Sequence, residues 1–162
     1  MITTERLKEL LRYDPLTGEF FWLKKPSPRV NIGDRAGHID NKGYWRVKID
    51  GRAYLQSRLV WLYMTGTWPA RFIDHKNQDR AANRWENLRE ANDQQNKANS
   101  RGWAKYGKGV NGLRKSSRNP YAAVIRVNGK TIYLGCFPTA EKANAAYFKA
   151  AKLHFGEFAR SQ

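Results

Sequence analysis

The chain is poor in cysteine and in acid. Of its 162 residues only Cys136 is a cysteine, and 14 Asp and Glu stand against 30 Lys and Arg. A single cysteine excludes an intramolecular disulfide and any cysteine-rich zinc site. It fits a reducing, intracellular setting. No apolar run approaches the roughly 18 residues that read as a membrane span. The first residues, Met1-Ile2-Thr3-Thr4-Glu5, lack a signal-peptide pattern. The shortage of acid leaves a net charge of +16 and a pI near 10.2, which calls for a polyanionic partner, nucleic acid first among them. A membrane surface fits less well, because basic residues occupy strand-like segments as well as a helix.

What is present suffices for folded cores. Hydrophobic residues make up 41% of the chain and aromatics 13%, too many for a disordered polycation. The length allows one or two small domains. The charge divides unevenly. Residues 1–100 hold 18 basic and 12 acidic side chains, net +6, and residues 101–162 hold 12 and 2, net +10. The last third therefore has the character of a phosphate-contacting module.

Along the first hundred residues, Thr4 is suited to cap a helix with Leu7, Leu10 and Leu11 on one face. Asp14-Pro15 and Thr17-Gly18 mark a turn, and Glu19–Leu23 a short strand. Lys24–Asp34, with two prolines and a glycine, reads as a loop. Tyr44–Ile49 alternates, with Trp45, Val47 and Ile49 facing one way. Asp50-Gly51 is a two-residue hairpin signal and Arg52–Gln56 the return strand. Arg58–Thr65 reads as a helix with Leu59, Leu62 and Tyr63 inward and Gly66 as its stop. Trp61 and Trp68 read as core, and His38 as structural or solvated.

The stretch Phe72–Asn96, FIDHKNQDRAANRWENLREANDQQN, concentrates the chemistry. Asp74 offers a hard oxygen ligand, the Asn96 carbonyl a second, and His75 an imidazole that is neutral near pH 7 and able to take a proton from water. A Mg²⁺-type cation needs only one or two protein oxygens. The set therefore suits metal-assisted phosphodiester hydrolysis. Asparagine clusters are also ordinary turn chemistry. Asn87-x-x-Glu90 and Asn92-x-x-Gln95 both have the form of a capping box.

With Asp74-His75, Asn83, Asn87-Leu88-Arg89, Asn96 and the upstream Arg58-Leu59-Val60-Trp61, the stretch resembles the HNH (His-Me finger) nucleases, in particular the phage homing-endonuclease branch. The resemblance implies a strand–loop–strand–helix motif with one bound divalent cation, Mg²⁺, for which Mn²⁺ can substitute. It implies His75 as general base, Asp74 and Asn96 as metal ligands, and Asn87 as the residue that pins the loop and orients the histidine. It favours Asn92 as the helix cap, with a strand at Leu88–Glu90. Arg58, Arg71, Arg84 and Arg89 are the expected DNA contacts around it. The chain departs from the family pattern at Ser57, where His is common, at Gln78, where Gly is, and at Ala82, where Asp is.

Beyond a basic, glycine-containing stretch read as a linker, Val110–Lys115, Tyr121–Val127 and Thr131–Leu134 read as three strands, with Asn128-Gly129 as a hairpin turn. Thr139 caps a helix running to about Phe155 with an alanine-rich face, Ala143, Ala146, Tyr147, Ala150 and Ala151. With Gly112-Leu113-Arg114, Tyr121-Ala122-Ala123, Tyr133-Leu134-Gly135 and His154-Phe155-Gly156, about fifty residues resemble the Apetala-two/ethylene-response-factor DNA-binding domain. That resemblance implies a sheet laid in the major groove, with Arg114, Lys115, Arg118, Tyr121, Arg126, Lys130 and Tyr133 as contacts. Arg114 and Arg126 are the better candidates for guanine, given arginine's bidentate geometry.

The expectation is an α+β chain: a small N-terminal antiparallel sheet and helices leading into a ββα-metal HNH motif, then a three-stranded antiparallel sheet packed on one helix. Residues 1–100 form the nuclease domain with core motif 72–99, residues 101–109 the linker and residues 110–160 the DNA-binding domain. The function expected is a metal-dependent endonuclease on double-stranded DNA, monomeric on DNA with a dimer allowed, nicking one strand per monomer. It is expected to be phage-encoded and to act in the cytoplasm of a bacterial host. The alternatives are a non-catalytic, sequence-specific DNA-binding regulator with a degenerate HNH motif, and a structural DNA-packing protein.

Overall fold

The computed structural model describes residues 1–100, 105–112 and 118–159. Over these residues the chain is α+β, with small antiparallel sheets and four α-helices. It divides into two compact units, Met1–Ala91 and Asn92–Gln162. Among the described residues no helix is long and apolar enough to cross a membrane.

In the first unit, helix α1 (Thr4–Leu10) is capped by the Thr3 hydroxyl, which accepts from the Arg6 N–H, one residue ahead of the cap read from sequence. Leu11 does not extend this helix. It opens strand β1 (Leu11–Asp14), which pairs with β2 (Glu19–Trp22) across the Asp14–Gly18 turn. The leucine spacing that suggests one helical face fits a helix followed at once by a buried strand end. A second sheet holds β3 (His38–Ile39), β4 (Trp45–Ile49) and β5 (Arg52–Leu55) in that order. The β4–β5 turn is the hairpin expected: Asp50 and Gly51 have φ of 47° and 78°, the left-handed pair that matches strand twist. Helix α2 (Gln56–Thr65) ends on Gly66 at φ 77°. Phe20, Leu7, Leu11, Val47, Leu59 and Val60 make a common core. Trp68 packs on that core and stacks on Tyr54 at 5.7 Å, and Trp61 sits 5.2 Å from Trp85. His38 is exposed. Strands β6 (Phe72–His75) and β7 (Leu88–Ala91) complete the unit as an antiparallel pair.

The second unit opens with helix α3 (Asp93–Asn99). Its cap is Asn92, with both bonds of the capping box present, so the later of the two candidate helix starts is the one used. The Lys108 ammonium is bonded to the last carbonyls of α3, Lys97, Ala98 and Ser100, where the helix carries its partial negative charge. Residues 105–109, read as linker, are packed: Tyr106 lies 5.2 Å from Tyr121 and its carbonyl accepts from Asn144. Strands β8 (Val110–Gly112), β9 (Tyr121–Val127) and β10 (Lys130–Phe137) form an antiparallel sheet with β9 central. Asn128 and Gly129, at φ 49° and 78°, close the second hairpin. Helix α4 (Ala140–Phe155), capped by Thr139, lays Ala143, Tyr147 and Ala151 on Val110, Ala123 and Ile125. Small side chains on that helix face allow the close approach. Gly109 serves it too, since a β-carbon there would stand 2.3 Å from the Tyr147 ring.

Candidate active site

The chemistry gathers at the end of β6. Cross-strand pairing sets Asp74 opposite Arg89 and His75 opposite Leu88. Directly opposed residues share a sheet face, and Arg89 uses this. Its Nε donates to Asp74 Oδ2 at 2.9 Å and its Nη2 lies 2.9 Å from the same oxygen, with little of either side chain exposed. Arg89, read as a DNA contact, is thus an ion-pair partner of the proposed metal ligand. Arg58 is also engaged with protein. Its guanidinium donates to the carbonyls of Arg71 at 2.9 Å and Pro69 at 3.1 Å, bracing the approach to β6. Arg71 and Arg84 are exposed.

His75 is only 5% exposed and Asn83 only 1%. Nε2 of His75 lies 3.0 Å from Asn83 Oδ1. The Asn83 Nδ2 donates to Ala81 O at 3.1 Å, which assigns Oδ1 as the acceptor and the proton to His75 Nε2. The neutral ring then carries its lone pair on Nδ1, as a proton acceptor must. Burial pushes the imidazole below its ordinary pKa, while the Asn83 bond and the Asp74 charge pull the other way. The Tyr44 ring centroid stands 6.3 Å from that of His75, with the Arg80 guanidinium 4.9 Å from the Tyr44 centroid.

Asn87 closes the loop between the strands. Its Oδ1 accepts from Asn77 N at 3.1 Å, and its Nδ2 donates to Asn77 Oδ1 at 3.0 Å and Ala82 O at 2.7 Å. Two local turns, Asp79 N to Asn77 Oδ1 and Ala81 N to Asp79 Oδ1, shape the rest. Asn87 thus ties together the two ends of the loop, and Asn83 brings an amide oxygen within hydrogen-bond distance of His75. Asn83 stood in the motif without a role, since two asparagines four residues apart are indistinguishable by composition.

At Gln78, where glycine is common in the motif, φ is +64°. Left-handed backbone costs a side-chain-bearing residue ~1 kcal/mol or more, partly offset by the greater unfolded-state freedom of glycine. Gln78→Gly should therefore stabilise the chain by about 0.5–1 kcal/mol, read as a higher urea midpoint with unchanged slope.

Asn96 is half-buried on α3, in the second unit. Among the described residues no three His, Cys, Asp or Glu side chains gather into a metal cluster. The Asp74 carboxylate is an oxygen donor of the kind that suits a hard cation keeping most of its waters.

In the C-terminal sheet, register pairs Arg126 with Thr131 and Val124 with Tyr133. These lie on the face opposite the one Ala123 and Ile125 turn to α4. Tyr133 is 62% exposed. Lys130 pairs with Val127 and falls on the other face, at the strand end. Arg118 is exposed, whereas the Tyr121 ring packs on Tyr106. Arg114 and Lys115 lie outside the described residues.

The HNH endonuclease family model matches residues 54–98. An uncharacterised HNH endonuclease of Acanthamoeba polyphaga mimivirus is 34% identical over 110 residues, covering 67% of this chain and 57% of the viral protein. The chain therefore spans little more than half the length of that relative. No solved structure matches. The match begins at the end of β5 and runs through α2, β6, its loop and β7 into α3, so this segment is similar to an HNH endonuclease domain.

Proposed function

We propose that the chain is a metal-dependent endonuclease acting on double-stranded DNA. The observation that carries this reading is His75: buried at a strand end beside Asp74 and bonded through Nε2 to Asn83, inside the segment the family model matches. HNH endonucleases are generally dependent on a divalent metal. Asp74 would be a ligand of the ion, Mg²⁺ with Mn²⁺ as substitute, which when bound supplies Lewis-acid stabilisation of the charge on phosphorus and on the leaving 3′ oxygen.

The protein's own part is proton transfer and positioning. His75 takes a proton from water, and the hydroxide so formed attacks phosphorus in line. Asn83 keeps the accepting nitrogen of the ring unprotonated, and Asn87 keeps the loop closed. The products are a 5′ phosphate and a 3′ hydroxyl. One motif per chain cuts one strand, so a monomer nicks and a double-strand break needs a dimer or a second encounter. The C-terminal sheet acts as the Apetala-two-like DNA-binding module, with Arg126 and Tyr133 on its open face. Its net charge of +10 over residues 101–162 supports this. The whole reads as a phage-type homing enzyme acting in a bacterial cytoplasm; the viral origin of the relative fits the virus-encoded part of that reading alone.

Two outcomes test the reading. Supercoiled plasmid carrying the gene's own flanking DNA should be nicked with Mg²⁺ or Mn²⁺ and left intact with EDTA. Tight, site-selective binding without cutting in either metal would overturn the catalytic claim in favour of a DNA-binding regulator. The rate should also rise with pH as the His75 base form accumulates. Because burial lowers this imidazole's pKa, the midpoint of the acid limb should fall below the ordinary value near 6.5; a midpoint above it would contradict the assignment of His75 as base.

A further inference from the structure

Tyr13 lies on β1, well outside the matched segment 54–98. Its hydroxyl nevertheless donates to the backbone carbonyl of Asn83 at 2.8 Å. The ring is locked between Phe20 at 5.1 Å and Tyr63 at 5.8 Å. The same peptide is pressed from a second direction by Gly18, in the turn of that hairpin. A β-carbon at Gly18 would stand 2.5 Å from Arg84 N and 2.6 Å from the Asn83 carbonyl carbon, so only glycine permits the approach. The turn is itself tied to α2, whose buried first residue, Gln56, donates through Nε2 to Gly18 O at 2.5 Å. The Asn83 peptide is thus held at its carbonyl and along its plane, and the Asn83 side chain holds His75 Nε2.

We propose that Tyr13 is a positioning residue of the nuclease: its hydroxyl, acting through the Asn83 backbone, fixes the amide that holds the His75 ring in one tautomer. The β1–β2 hairpin is then part of the working site although its residues lie outside the family motif. This rests on the reading of His75 as the base. Burial pushes the Tyr13 phenol up to about 12, so it stays a donor throughout the working pH range.

The test uses the full chain as wild type, Tyr13→Phe, Asn83→Ala and the double variant. Single-turnover cutting by Tyr13→Phe should be about 10-fold slower, the scale of a small misplacement of a catalytic group, with DNA affinity unchanged. Asn83→Ala should be slower still, and adding Tyr13→Phe to it should change nothing further, as for residues acting through one another. In ¹⁵N spectra at a pH where the ring is neutral, His75 should show the Nε2–H tautomer in wild type and a mixture in Tyr13→Phe. Gly18→Ala, which disturbs the same peptide without altering Tyr13, should give the same signature and serves should Tyr13→Phe fail to fold. Additive rate losses, or a folded variant with wild-type rate and wild-type His75 spectrum, would overturn the proposal. If the wild type does not cut at all, the nuclease reading fails by itself, while the imidazole spectra still decide whether Tyr13 governs the tautomer.

Discussion

A His75→Ala variant should bind duplex DNA as the wild type does and cut it about 10²–10⁴ times more slowly, the usual share of a positioned general base. The loss follows from geometry. His75 is the buried imidazole of β6, and its Nε2 is committed to Asn83. Of the other two histidines, His38 is exposed on β3 and His154 lies near the end of α4. The substitution also leaves the Asn83 Oδ1 without its donor in a buried place, at a cost of about 1–3 kcal/mol, so melting must be compared before rates are. The same variant reports on acid stability. The folded imidazole has a lowered pKa, so the unfolded chain takes up a proton that the folded one resists. Stability of the wild type should therefore fall as pH drops below about 6.5 and level off once the folded ring also titrates. The His75→Ala variant should lack this component of the slope. Equal slopes in both would show that burial does not depress the imidazole.

The second large effect concerns Arg89. Removing one partner of a buried ion pair leaves an uncompensated charge and typically costs about 3–5 kcal/mol, a substantial part of a small domain's stability. Arg89 meets Asp74 through two 2.9 Å contacts from directly opposed positions on β6 and β7. Arg89→Ala should therefore lower the unfolding free energy by an amount in that range, read as a lower urea midpoint with unchanged slope, and Asp74→Ala combined with Arg89→Ala should recover part of the loss. A purely DNA-contacting arginine predicts the reverse pattern: weaker binding with unaltered melting. The two are separated by measuring both quantities on the single variant. Arg71 and Arg84, by contrast, are exposed. Their replacement should leave melting within about 0.5 kcal/mol of wild type.

Much of this architecture is legible in local signals. Asp50-Gly51 and Asn128-Gly129 announce their hairpins because the left-handed pair of φ angles suits few other dipeptides. Asn92, Thr139 and Gly66 mark helix ends through bonds spanning three or four residues. Departures occur where a segment's neighbours lie far along the chain. Leu11 reads equally well as the last turn of α1 or the first residue of β1, and pairing with Trp22 decides for the strand. Strand β3 is two residues long and exists only against Trp45 and Arg46. Residues 105–109 look like a linker by composition, yet Tyr106 finds the Tyr121 ring.

The chemistry on offer is written along the chain: a histidine beside an aspartate, asparagines at fixed spacings around them, a capping box behind, and a basic C-terminal third. Those are properties of residue type and short spacing, which survive in any fold. Which groups serve one another is set by folding. An arginine carries the same charge whether it faces a phosphate, a carbonyl or a carboxylate. What sends Arg89 to Asp74 is the β6–β7 register, and what sends Arg58 to the Pro69 and Arg71 carbonyls is the way α2 packs. Likewise the choice of Asn83 over Asn87 as the histidine's partner depends on how the loop closes. The hydroxyl of Tyr13 reaches Asn83 across 70 positions of sequence. Bonds of that length follow from burial and strand register, and neither is encoded at any single position.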